Sequence, residues 1–130
     1  MVGIVLVSHS QKLAEGLKDL VAQLSGGAVP VAAAGGGPQG GLGTSAELIR
    51  DAILSVAGPD GVLVLVDLGS AVLSTETAIE MLDPAPCEVR ISDAPLVEGA
   101  IVSVIQSSLG DGLAAILEAA EGARHMPKNV

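Results

Sequence analysis

Residues 2–27 read VGIVLVSHSQKLAEGLKDLVAQLSGG, and this stretch decides the fold. It opens with an apolar run over residues 2–7, rich in Val, Ile and Leu, which reads as a strand buried on both faces. After Ser8-His9-Ser10 the pattern changes. Leu13, Leu17, Leu20, Val21 and Leu24 recur at three- and four-residue intervals, the period of an amphipathic helix, and Gly26-Gly27 ends it. Strand leads directly into helix, the unit from which parallel sheets are assembled.

The same alternation runs on along the chain. Apolar runs at residues 29–34 and 62–66 predict two further strands. Residues 88–92 are more polar, with Val89 and Ile91 on one face, and predict a fourth strand at a sheet edge. A second helix is expected from a cap at Thr44 or Ser45 through Val56, before the turn Gly58-Pro59-Asp60-Gly61. A third starts near Ser70 and is stopped by Pro84 and Pro86. Pro95 opens a fourth through Ile105, and residues 111–120 supply a last one. This order predicts an α/β fold: a three-layer open sheet, mostly parallel, with core order 2-1-3-4, right-handed crossovers and helices on both faces. The Gly-rich residues 35–43 form one long βα loop inside that pattern rather than a boundary. Residues 1–123 are therefore expected to be a single domain and residues 124–130 a frayed tail.

Composition removes several classes of function. The chain is 49% hydrophobic without a single Phe, Tyr or Trp, so its core must be aliphatic. The absent aromatics and the net charge of −9 argue against nucleic acid as a partner. No apolar run approaches the ~20 residues of a membrane span, and Met1-Val2-Gly3-Ile4 has neither a basic leader nor a cleavage site, so a cytoplasmic protein without membrane contact is expected. Cys87, the only cysteine, has no internal partner and reads as an inert core residue. No Cys and His cluster exists to bind zinc, and His125 falls in the expected tail, so neither a metal nor a cofactor is expected.

In an open parallel sheet the reactive groups gather beyond the carboxyl ends of the strands, where strand order reverses. With the first strand central, that reversal lies between strands one and three and sets His9 opposite Asp67. A carboxylate bonded to one imidazole nitrogen fixes the tautomer and leaves the other nitrogen free as a nucleophile. Ser10 and Gln11 open one helix there, and Gly69 and Ser70 open another, so backbone N–H groups could surround a phosphate carried on His9. The plain structural alternatives are a loop histidine with one hydrogen bond and an acid that only caps the next helix.

Rival motifs do not hold. Gly35, Gly37 and Gly40 match GxGxxG literally, but Pro38 interrupts the turn and no helix follows at once. Gly43-Thr44 ends like a P-loop without the lysine. A receiver domain would need acids where Ser8-His9-Ser10 stands, and no GxSxG elbow surrounds any serine.

Val7-Ser8-His9-Ser10, Gly43-Thr44, Asp67-Leu68-Gly69-Ser70-Ala71 and Ala94-Pro95-Leu96-Val97-Glu98-Gly99 together resemble the mannose-type IIA phosphotransferase group. Within it, the chain resembles the phosphohistidine subunits of phosphoenolpyruvate-dependent dihydroxyacetone kinases. That resemblance implies a phosphoryl relay from phosphoenolpyruvate through enzyme I and the carrier HPr to His9. From there the group passes to ADP in the nucleotide-binding subunit of the kinase, and then to dihydroxyacetone. It also implies that Asp67 supports His9, that Gly69 and Ser70 lie nearby, that Gly43 and Thr44 supply loop contacts, and that the protein is a homodimer. No HPr-like or enzyme I-like segment follows residue 130, so separate proteins are expected to supply the phosphate. A sugar-transport IIA component and a phosphohistidine regulator of the same fold remain open at this point, because fold alone does not fix function.

Overall fold

The computed structural model describes residues 1–129. Four strands, β1 (Gly3–Ser8), β2 (Val31–Gly35), β3 (Val62–Val66) and β4 (Val89–Ser92), form one sheet in the order β2-β1-β3-β4. Every pair is parallel, in agreement with the sequence-based order. The connecting helices are α1 (Gln11–Ser25), α2 (Ala46–Val56), α3 (Gly69–Glu80), α4 (Leu96–Ser108) and α5 (Leu113–Gly122), followed by a 3-10 turn at Ala123–His125.

Strand alternation divides the aliphatic side chains between two cores. Ile4, Leu6, Leu63 and Leu65 face α1, α4 and α5, where they meet Leu17, Val21, Val104 and Ile116. Val5, Val7, Val62, Val64 and Val66 face α2 and α3, against Ile49, Ile53, Ala71 and Ala78. The parallel register aligns like with like, Leu6 beside Leu65 and Val5 beside Val64. Both central strands are buried throughout, whereas β2 and β4 at the edges are only partly covered. Truncating a fully buried residue such as Leu65 to Ala should cost about 2–5 kcal/mol, because the neighbours cannot close over the gap.

One glycine brings the long loop to the rim that matters. A Cβ on Gly35, the last residue of β2, would lie 2.5 Å from the Ser10 carbonyl and 2.9 Å from Ala14 Cβ. The end of β2 and the start of α1 can touch only because that position has no side chain. The loop is then tied to the end of β1 by Gly36 N–H donating to the Ser8 carbonyl (3.2 Å) and Gly43 N–H donating to the His9 carbonyl (2.9 Å).

Two expectations need correction. Residues 124–129 are not simply frayed: Arg124, in the middle of the 3-10 turn, places Nη2 on the Asp93 carbonyl (3.2 Å) and on Asp93 Oδ1 (2.5 Å), and Lys128 pairs with Glu98. These pairs follow from α5 packing beside α4, which carries the segment back over the β4–α4 loop. Cys87 is half-buried beside the α2/α3 core rather than enclosed by it, since it lies just ahead of an edge strand.

Candidate active site

Val7 lies beside Val66 in the sheet, so the residues that follow each strand emerge together at one rim. Asp67 N–H extends the pairing by donating to the Val7 carbonyl at 3.1 Å. From there the Asp67 carboxylate receives four bonds. Oδ2 accepts from the His9 backbone N–H (2.9 Å) and from Ser8 Oγ (3.0 Å). Oδ1 accepts from Leu68 N–H (2.8 Å) and meets His9 Nδ1 at 3.0 Å. Burial pushes this carboxyl up, but the bonds from the His9 amide, the His9 ring and Ser8, with the charge of the histidine, overcome it. Asp67 is therefore held below the ordinary aspartate value of 3.8 and stays a carboxylate.

An acceptor at Nδ1 determines the tautomer of His9. A neutral ring facing a carboxylate at Nδ1 carries its proton there, which leaves the lone pair on Nε2. Nε2 is met by Ser70 Oγ at 2.8 Å, so the hydroxyl donates to it. The imidazole is neither sealed nor loose, with 27% of its side-chain surface exposed against 16% for Asp67.

The two helix starts that flank His9 carry the remaining expected residues. Ser10 is the N-cap of α1: its Oγ accepts from Leu13 N–H at 3.2 Å, and its own N–H donates to Ser8 Oγ at 3.0 Å. Gln11 turns along the helix to Glu15 (3.2 Å). Gly69 and Ser70 open α3, whose cap position is Leu68, and no side chain caps those first amides. Gly43 holds the His9 carbonyl, as described, while Thr44 Oγ1 lies 2.5 Å from Ser74 Oγ and fastens the glycine loop to α3.

Sequence reasoning missed several residues here. Ser8 joins Asp67 to the start of α1, yet in sequence it is only the polar end of a strand. Lys12 borders an open depression of about 310 Å³ with Ser10, Gln11, Gly40, Gly41 and Leu42, next to the histidine loop. Leu42, Leu68 and Leu73 stand 87%, 60% and 69% exposed on the segments that carry the site. Leu68, a large apolar residue between Asp67 and Gly69 just beyond a strand, was the one visible signal. Among the described residues no cluster of three or more His, Cys, Asp or Glu could hold a metal, and no helix is long and apolar enough to cross a membrane.

A parallel α/β sheet with a carboxylate-bound histidine on its open rim fits the phosphohistidine carriers that the sequence motifs resemble. Residues 3–117 match the family model described as PTS system fructose IIA component (EIIA-man), and the chain belongs to that family. Within it, the chain is 44% identical over 119 residues to a Listeria innocua protein named PEP-dependent dihydroxyacetone kinase 2, phosphoryl donor subunit DhaM. That match covers 91% of this chain and 95% of the relative. The DhaM subunit of Escherichia coli is 45% identical over 85% of this chain, which spans only 24% of that longer protein. Among solved structures, a protein of unknown function, EF1359, superimposes with a TM-score of 0.77 at 37% identity, covering 94% of this chain and 95% of its own.

Proposed function

We propose that this chain is the phosphoryl donor subunit of a dihydroxyacetone kinase, with residues 1–123 as its phosphocarrier domain, working in the cytoplasm as a homodimer. It takes a phosphoryl group from HPr on His9 and gives it to ADP held in the nucleotide-binding subunit. The observation that carries this reading is the fixed imidazole. With Nδ1 on Asp67 Oδ1 at 3.0 Å, Nε2 is the nitrogen left to bond phosphorus.

The Nε2 lone pair attacks the phosphorus of the phosphorylated donor, whose own nitrogen leaves in line. Asp67 stabilises the imidazolium character that develops as the new bond forms. The arriving group displaces Ser70 Oγ from Nε2, and the freed hydroxyl then donates to a phosphoryl oxygen. First-turn N–H groups of Gly69 and Ser70, unclaimed by any cap side chain, supply further donors. Ser10 and Gln11 add the positive end of α1 from the other side, and Gly43 and Thr44 hold the glycine loop against the site. Leu42, Leu68 and Leu73 form the dry contact that a docking protein needs around the transfer point. The net charge of −9 suits basic partners, so transfer should slow as salt rises.

The near full-length likeness to a DhaM subunit supports the kinase reading. The family description, naming a fructose IIA component, supports a second one in which the acceptor is a sugar-transport protein. The test incubates the protein with enzyme I, HPr and labelled phosphoenolpyruvate, and looks for acid-labile, base-stable label on His9. Adding an ADP-loaded nucleotide-binding subunit should then discharge the label into bound ATP, and further addition of dihydroxyacetone with its binding subunit should carry it into dihydroxyacetone phosphate. Label that stays on His9 with that subunit, but leaves with a sugar-transport IIB protein, would replace the first reading with the second.

A further inference from the structure

Ser70, His9 and Asp67 stand in the relation of a nucleophile, its base and the orienter of that base. Ser70 Oγ lies 2.8 Å from His9 Nε2, and His9 Nδ1 lies 3.0 Å from Asp67 Oδ1. These are the contacts by which a serine hydroxyl is activated in acyl transfer. Ser70 is also exposed and sits in the first turn of α3 just beyond β3, so its Oγ is open to a small substrate. The amides of that turn, without a capping side chain, lie on the same rim and can receive a developing oxyanion.

From this geometry we propose that the protein, when His9 carries no phosphoryl group, is a serine esterase toward small activated carboxylic esters, with Ser70 as nucleophile. Ser70 Oγ adds to the ester carbonyl while its proton passes to His9 Nε2. The tetrahedral intermediate collapses, the alkoxide or phenolate leaves with that proton, and an acyl-Ser70 remains. Water then gives a proton to Nε2 and its oxygen to the acyl carbon. Carboxylic acid departs, and Ser70 recovers its proton. Asp67 keeps the ring in one tautomer through both halves. Since Nε2 serves both chemistries, a phosphoryl group there closes the esterase.

The experiment uses p-nitrophenyl acetate with the purified, unphosphorylated full chain. The expected result is a burst of p-nitrophenolate approaching one per chain, followed by slower turnover, with an acetyl group on the peptide that contains Ser70. Ser70→Ala should lower the rate at least about 100-fold and remove that adduct, the lower end of what a positioned proton-transfer partner contributes to such a step. Ser70→Cys should restore an adduct as a thioester, with thermal melting used to show that both variants are folded. Acetyl found only on His9, Lys12 or the amino terminus would overturn the proposal, as would an undiminished rate in Ser70→Ala. The assay needs no phosphoryl donor, so its failure would leave the relay untouched, and failure of the relay would leave the esterase standing.

Discussion

The helices α1 and α3 both begin beside His9, but they begin differently. α1 is capped: Ser10 accepts from Leu13 N–H, and the adjoining amide is taken by Ser8. α3 starts at Leu68, which has no side-chain oxygen to offer. A capped helix start gains stability, typically about 1 kcal/mol, and offers fewer free donors to a ligand. An uncapped one forgoes that stability and keeps its donors open. The difference separates two tasks that look alike in sequence, since one helix anchors the histidine loop and the other is free to meet what the histidine carries.

The comparison is broken most completely by removing the group that both helices serve. His9→Gln should abolish label uptake from phosphoenolpyruvate while the melting curve stays close to that of the parent, because the ring is partly exposed and contributes little to either core. Uptake on another residue would show that the rim is not the acceptor site.

Asp67→Asn tests the support that holds His9 between the helices. It presents an amide where the ring needs an acceptor, and transfer should fall by about 100-fold, the scale lost when a reacting group is misplaced by about 1 Å. The same variant has a pH signature. A carboxyl held below its ordinary value contributes stability that is fully present above 3.8 and is lost as pH falls through the lower folded value. Acid titration of the melting temperature should therefore show wild type and Asp67→Asn holding a constant offset above pH 3.8 and converging as pH falls below it. Parallel curves throughout would mean that the bonds to Asp67 do not favour its charged form.

Much of this arrangement was legible before any coordinates. The aliphatic runs of β1 and β3 and the three- and four-residue spacing in α1 specify strand and helix through simple periods, and a parallel order then forces His9 and Asp67 onto one rim. The facing of those two residues follows from topology, so sequence could reach it. The division of labour between Ser10 and Ser70 could not be reached that way. Both are serines at helix starts, and only the rotamer shows that one hydroxyl turns into its own helix while the other crosses to the imidazole. Ser8 was hidden for a related reason, because a strand ending in serine says nothing about which carboxylate it will meet. The Arg124 contact with Asp93 depends on how α5 lies against α4, which no local pattern specifies.

Exchanging the cap chemistry sharpens the comparison. Leu68→Ser gives α3 the device that α1 already has. It should raise stability by about 0.5–1 kcal/mol and slow transfer several-fold, because the new hydroxyl competes for amides that would otherwise meet phosphate. Leu68 is 60% exposed, so little apolar burial is lost to obscure the gain. Chemical denaturation and label-uptake rates measured on one preparation check both signs, and faster transfer with higher stability would refute the role given to the open start of α3.

The smallest effect is expected at the other helix. Ser10→Ala removes the Oγ that accepts from Leu13 N–H, and the loss should be about 1 kcal/mol of folding stability, as for other serine caps. The Ser10 amide still reaches Ser8, and the first-turn dipole of α1 remains, so the penalty on transfer should be smaller than that of Ser70→Ala measured alongside it. The denaturation midpoint should move with an unchanged slope, the sign of altered stability without altered compactness. If instead Ser10→Ala slowed transfer more than Ser70→Ala and left the midpoint in place, the two helix starts would have to exchange roles, and the phosphate would belong to α1.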